Sequence, residues 1–187
     1  MMKEMSKHKD VFKEPRNSLE MDDCMSGYYQ KIETGALLFA VFRGKASEGM
    51  DFADNAARLV ITVGIPYPSV ADPKISLKKN YNTTKWIETK DLKDRHISGN
   101  EWYNIQAFRA LNQAIGRCIR HRDDWGAMIM VDSRFGGHSS NYLDGLCKWI
   151  RQRQRHYNNW HELHFNLQSF ISKHTQAKTS SDLCPGK

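Results

Sequence analysis

The densest chemical signal in the chain is a set of arginines close to residue 117. Wound at about 100° per residue, residues 105–120 bring Arg109, Gln113, Gly116, Arg117 and Arg120 to one side of a helix. Phe108, Leu111, Ile115, Cys118 and Ile119 fall on the other side, as a face that buries against a sheet. Three arginines on one stripe repel each other unless carboxylates or an anion neutralise them. A glycine among them costs about 1 kcal/mol of helix stability relative to alanine, which makes sense where something must approach the backbone. A bound polyphosphate accounts for both features; a solvated basic face accounts for the charges alone.

A second chemical segment, RGKASEGMDF (Arg43–Phe52), directly follows an apolar run of strand length. Gly44 and Gly49 permit close backbone approach, Lys45 and Ser47 can reach phosphate, and Glu48 and Asp51 can accept hydrogen bonds. In open α/β sheets ligands bind beyond the carboxyl ends of strands, where this loop would sit. The chain has no GxxxxGK[ST] phosphate loop and no DEAH-like acidic box for magnesium.

The elements that must hold these segments read as α/β. Three apolar runs have strand length: ALLFAVF (Ala36–Phe42), RLVITVGI (Arg58–Ile65) and AMIMVD (Ala127–Asp132). None alternates cleanly, which predicts a parallel sheet covered on both faces. VFKEP near residue 12 resembles the tail of a further strand. Helical spacing runs from Ser18 to Ile32 with Gly35 as its stop, from about Glu101 to His121, and from about Asn141 to Arg155. Pro66 to Gly99 reads as a polar stretch with turn signals. The expected organisation is a polar segment over 1–16, one domain over 17–156 and a polar tail over 157–187.

Composition narrows the partners. The 187 residues carry 28 Lys and Arg against 21 Asp and Glu, a formal charge of +7 that favours an anionic partner. Cys24, Cys118, Cys147 and Cys184 show no metal-ligand spacing, and His161 and His164 have only Glu162 nearby, so no metal site is expected. No stretch approaches the roughly 20 apolar residues of a membrane span. Tyr67, Tyr81, Trp86, Trp102 and Tyr103, interleaved with Lys78, Lys79 and Lys85, suit either base stacking or core packing.

Together, RGKASEGMDF and QAIGRCIRH (Gln113–His121) resemble motifs V and VI of the C-terminal motor lobe of XPD-type superfamily-two helicases. Within that family, the stretch from Gly35 to Phe135 is most similar to the Fanconi anaemia group J branch, through DFADNAARLVITVGIPYP, EWYNIQAFRALNQAIGRCIRHRDDWGA and VDSRF. The telomere-length-regulating branch shares EWY and NQAIGR.

The resemblance implies a RecA-like lobe with a parallel sheet flanked by helices, N-terminally incomplete, from a nuclear ATP-dependent 5′–3′ DNA helicase that acts in crosslink repair and on structured DNA. Arg117 and Arg120 would stabilise charge on the transferred phosphoryl group, and Gln113 would order water or the γ-phosphate. Gly44, Glu48, Gly49, Asp51 and Gly116 would line the ATP site, and Arg43, Lys45 and Ser47 would meet single-stranded or structured DNA. ATP and Mg²⁺ would be shared with a first lobe supplied in cis or in trans; the family's iron–sulfur cluster has no counterpart in this sequence. A non-catalytic module that binds single-stranded DNA or a protein is the alternative. A sheet lacking its first strand leaves an unpaired edge, so the isolated chain is expected to be marginally stable. A thermal melt followed by circular dichroism checks this: a cooperative transition well above body temperature would contradict it.

Overall fold

The computed structural model describes residues 2–50, 52–91, 95–136 and 141–181. These form two compact units, residues 1–147 and 148–187.

The first unit opens with a short helix, α1 (Met2–Met5), and strand β1 (Asp10–Lys13). A crossover through α2 (Met21–Gln30) brings β2 (Ala36–Phe39) alongside β1 in parallel, Asp10 opposite Ala36 and Lys13 opposite Phe39. The crossover is held by aromatic packing. The Phe12 and Tyr28 rings meet edge-on at 5.9 Å, and a side chain at Gly27 would lie 2.9 Å from the Phe12 ring. Met21, Met25, Tyr28, Ala46, Phe52 and Ala56 form the core beneath, where the Tyr28 hydroxyl donates to the Ala56 carbonyl at 2.6 Å. Gly35, at φ +100°, ends the α2 segment in a conformation that disfavours side chains and donates to the Lys31 carbonyl.

After β2 comes the single turn α3 (Lys45–Glu48), then β3 (Leu59–Val63), which pairs in parallel with β4 (Ala127–Val131), Ile61 opposite Ile129. Two helices link β3 to β4. The first, α4 (Pro73–Glu88), lies in the stretch expected to be polar turns. Its start is signalled locally: Asp72 caps the Lys74 N–H at 2.9 Å and Pro73 fills the first position, where a missing N–H is harmless. The second, α5 (Gly99–Ile115), is capped by Ser98 and buries Ala107, Phe108, Ala110, Leu111 and Ile115. The α4 and α5 backbones meet at Gly99, where a Cβ would stand 2.2 Å from the Lys79 carbonyl oxygen.

The fold is the expected α/β class, with parallel strands and helices against them. Three departures from expectation concern the sheets and the end of α5. The strands form two separate two-stranded ladders rather than one. One face of β3 is open, with Leu59, Ile61 and Val63 exposed, as is Val131 of β4. And α5 stops at Ile115, after which Gly116–Cys118 form a 3₁₀ turn and Ile119 is extended. Arg117 and Arg120 therefore do not continue the helical stripe of Arg109 and Gln113, and Ile119 is half-buried rather than in the core. His121, the expected end of the helix, lies past it.

The second unit holds α6 (Lys148–Arg151), so the helix expected over 141–155 is short and preceded by a 3₁₀ turn, Asn141–Gly145. Its main element is α7 (Trp160–Ser181), where a polar tail was expected. Half-buried Leu163, Leu167, Phe170 and Ile171 recur on it at helical spacing. No helix among the described residues is long and apolar enough to cross a membrane.

An ion pair fastens the base of β3. Arg58 donates to Asp124 at 2.7 Å, with the carboxylate fully buried, and its guanidinium lies 4.6 Å from the Trp125 ring centroid. Burial raises the Asp124 carboxyl, but hydrogen bonds from Arg58 and from the backbone N–H groups of Arg120 and Trp125 outweigh it and hold the group below its ordinary range. Asp124→Asn removes the buried charge that faces Arg58, leaving it the more distant Asp54 at 3.8 Å, and should cost about 3 kcal/mol at neutral pH. A depressed pKa stabilises the fold above the unfolded value of about 4, and that contribution is lost as pH falls through the folded value. Urea titrations of both proteins should thus converge as the pH falls below about 4.

Candidate functional site

The site is built where the loop after β2 meets the turn after α5. In the loop, Arg43 adopts φ +65°, a left-handed conformation that is costly for a side-chain-bearing residue. Its guanidinium donates to the Gln106 carbonyl at 2.7 Å, tying the loop to α5, and reaches the Pro66 carbonyl at 3.5 Å. Ser47 is buried, and its hydroxyl donates to the Gly44 carbonyl at 3.0 Å. Lys45, Glu48 and Gly49 are exposed on the same loop. Asp51 lies outside the described residues.

From the other side, the 3₁₀ turn swings Arg117 onto this loop. Its Nε donates to the Ser47 carbonyl and its Nη1 to the Met50 carbonyl, both at 2.9 Å, while Nη2 donates to the Glu48 carbonyl. Arg120 adds a bond to the Met50 carbonyl at 3.0 Å, and its backbone N–H donates to Asp124. Among the described residues no carboxylate pairs with Arg117; backbone carbonyls take its donors. The two segments singled out from sequence are thus in direct contact.

Other expected residues sit around this junction. Gly116 faces open space, with nothing within 4 Å of where a Cβ would stand. Gln113 is exposed on the last turn of α5. Arg109 belongs elsewhere: it lines a groove with Asn104, Phe108, Tyr142 and Asp144.

Two features were not read from sequence. Glu14, just past β1, accepts the Val41 N–H at 2.7 Å and the Ala46 N–H at 3.2 Å, spanning the loop. A Cβ at Gly44 would lie 2.4 Å from its Oε1, so the close approach that requires this glycine is to an internal carboxylate rather than to a ligand. Nothing in VFKEP pointed to that role, because the contact spans 27 to 32 residues.

The second feature is a ladder of rings and cations beyond β3 and β4. Asp132 holds Arg134 through Nε at 2.8 Å and through Nη2, and the Arg134 hydrogen bond lowers the Asp132 carboxyl against its burial. The Arg134 guanidinium lies 5.5 Å from the Tyr67 ring and 5.8 Å from that of Tyr142. Tyr67 meets Tyr103 at 5.1 Å, and Lys79 lies 5.0 Å from the Tyr103 ring. The half-buried tyrosines are tethered by their hydroxyls, Tyr67 to Asn104 and Tyr103 to the Pro68 carbonyl. VDSRF and the Tyr67 and Tyr103 segments were legible as segments, but not their convergence.

The donor sets among the described residues do not suit a metal. Around Arg117 the loop carbonyls already face guanidinium, and cationic Lys45 and Arg120 share the loop, so these residues do not fit magnesium. Asp54, His121 and Asp124 bring ligand atoms within 4.8 Å of one another, but Arg58 supplies the positive charge there by pairing with Asp124 and lying 3.8 Å from Asp54. None of the described cysteines joins such a group, so they do not fit an iron–sulfur cluster. Cys118 is buried against the Ala57 carbonyl, and burial followed by the Asp124 charge pushes its thiol up to about 11.

Residues 1–153 match the family model described as the helicase C-terminal domain. The chain belongs to that family. It is 45% identical over 183 residues to the Fanconi anemia group J protein homolog of Gallus gallus, covering 94% of this chain and 14% of that protein. It is 46% identical over 150 residues to the Regulator of telomere elongation helicase 1 homolog of Drosophila grimshawi, covering 79% of this chain and 15% of that protein. The expected kinship with both branches of the XPD-like family holds, and the chain spans about one seventh of the length of these relatives.

The arginines should separate in a stability measurement. Hydrogen bonds to charged groups contribute about 1.5–3 kcal/mol, so Arg117→Ala should destabilise by about 2 kcal/mol or more in urea unfolding. Arg120→Ala, at an exposed position, should cost under about 1 kcal/mol. Equal losses would contradict this division of labour.

Proposed function

We propose that the chain is the second motor lobe of an ATP-driven 5′–3′ DNA helicase of nuclear DNA repair, acting on crosslinked or structured DNA. The observation that carries this reading is the contact of Arg117 and Arg120 with the loop Ser47–Met50. In a motor, ATP bound between two lobes must change the grip on DNA, and a direct link between a nucleotide-facing turn and a strand-facing loop supplies that path. The relatives bearing the same domain are helicases by name or by family.

In this reading the roles divide by geometry. Arg117 is a positioning residue, since its guanidinium is committed to the loop. Arg120, exposed at the same junction, reaches toward the γ-phosphate of ATP held by a first lobe. An arginine delivered in this way contributes on the order of 10³–10⁵ in rate in related hydrolases. Open space at Gly116 admits phosphate close to the backbone, and Gln113 orders the attacking water. Exposed Glu48 and Gly49 shape the nucleotide side of the loop, while Gly44 leaves room for the Glu14 carboxylate. Magnesium and its carboxylates come from the first lobe, where the ion neutralises phosphate charge.

The DNA track begins at Arg43 and Lys45, with buried Ser47 bracing the turn beneath them. It continues over the Arg134–Tyr67–Tyr103–Lys79 ladder, because Arg43 bonds the carbonyls of Pro66, next to Tyr67, and of Gln106, one turn from Tyr103. Tethered rings flanked by cations suit the faces of unpaired bases. This ladder also supports a second reading, a module that holds single-stranded DNA without turnover.

Mixing the chain with a purified first lobe separates the two. DNA-stimulated ATP hydrolysis should appear in the mixture and fall by at least about 10³-fold with Arg120→Ala. Salt-sensitive DNA binding without hydrolysis in any mixture would favour the binding module instead.

A further inference from the structure

We propose that Glu14 is a positioning residue for the loop Val41–Ser47, a built-in anion that keeps the loop in the shape that presents Arg43 and Lys45 to DNA. The proposal rests on the DNA-binding reading of that loop. Its geometric half stands on the structure alone.

The Glu14 backbone extends the β1–β2 ladder by one bond, its N–H donating to the Phe39 carbonyl at 2.8 Å. The side chain then reaches over the end of β2. Its two oxygens each take one backbone N–H, from Val41 where the loop leaves the strand and from Ala46 where α3 begins. A single carboxylate thereby closes a six-residue excursion, Val41–Ala46. Bonds from N–H groups to an ionised carboxylate are about twice as strong as neutral ones.

That closure is needed because the excursion is strained. Arg43 at φ +65° is held in a region that a non-glycine residue occupies only when its surroundings over-determine it. Glu14 supplies one restraint, at the loop ends. The bond from Arg43 to the Gln106 carbonyl supplies the other, at its apex. Gly44 is part of the same device, since any side chain there would collide with the carboxylate. Glu14 also places negative charge against the Gly44 backbone, between the residues that carry the loop's two cations, Arg43 and Lys45.

Amide hydrogen exchange and fluorescence-anisotropy binding of a single-stranded oligonucleotide test this in the full chain. Glu14→Gln keeps the size of the side chain and should keep the circular dichroism spectrum. Exchange at Val41 and Ala46 should accelerate about ten-fold or more, and oligonucleotide affinity should fall about five-fold or more. Glu14→Ala should lose more of both and leave a cradle of two N–H groups. Acetate in the tens of millimolar, but not chloride at equal ionic strength, should refill it and restore both readouts. Unchanged exchange in both variants overturns the proposal, as does faster exchange with unchanged DNA affinity or a loss that acetate and chloride affect alike. If Glu14→Ala unfolds, the glutamine variant decides alone. If the wild-type chain binds no single-stranded DNA, the DNA-binding reading falls, and the exchange rates still show whether Glu14 anchors the loop.

Discussion

The structure turns on one guanidinium. Arg117 is half-buried with three backbone carbonyls around it and no carboxylate paired with it among the described residues. A charge removed from water is tolerated only where its hydrogen bonds are replaced, and here a loop supplies the replacements with its main chain. The dependence is mutual. Ser47, Glu48 and Met50 can aim their carbonyls inward only in the loop's present shape, and Arg117 can reach them only because α5 ends at Ile115. Arginine suits the task because its planar fork of donors serves several fixed acceptors at once.

The same economy governs the other charges of this basic chain. Arg58 is answered by Asp124 and a Trp125 ring, and Arg134 by Asp132 and two tyrosine rings. Arg43 is answered by the carbonyls of neighbouring elements. These cations are thus fixed in place by the fold, while Lys45 and other lysines remain on exposed side chains. Preorganised cations lose less freedom on meeting a phosphate than mobile ones do. The net charge of +7 therefore understates how far particular charges are aimed.

Belonging to the helicase C-terminal domain family places this design in much longer proteins, of which the chain corresponds to about one seventh. The open face of Leu59, Ile61 and Val63 is unusual beside a parallel ladder, whose strands are ordinarily covered on both sides. The stretch matched to the group J relative covers 94% of the chain, against 79% for the telomere-helicase relative.

Much of this was legible locally. The parallel α/β class follows from three short apolar runs with helical segments between them, and Gly35 announces its stop because only a residue without a Cβ adopts that φ cheaply. Helix α4 was equally local in its Asp72–Pro73 start, but its mixed polar surface lacks the clean apolar period that reveals α5. The two chemical segments were visible as residue types and spacing, since a strand-end glycine loop and an arginine-rich helix end are short-range patterns. Their contact was not. A helical wheel extrapolates one backbone geometry past Ile115, whereas the chain unwinds there to satisfy Arg117. Glu14, the tyrosine ladder and the open face of β3 depend on which distant residues the crossovers bring together. Local sequence determined the parts, because propensity and periodicity act within a few residues. Tertiary structure decided which of the other charges met carbonyls, carboxylates or rings, because those partners lie dozens of residues apart along the chain, the Asp132–Arg134 pair being a local exception.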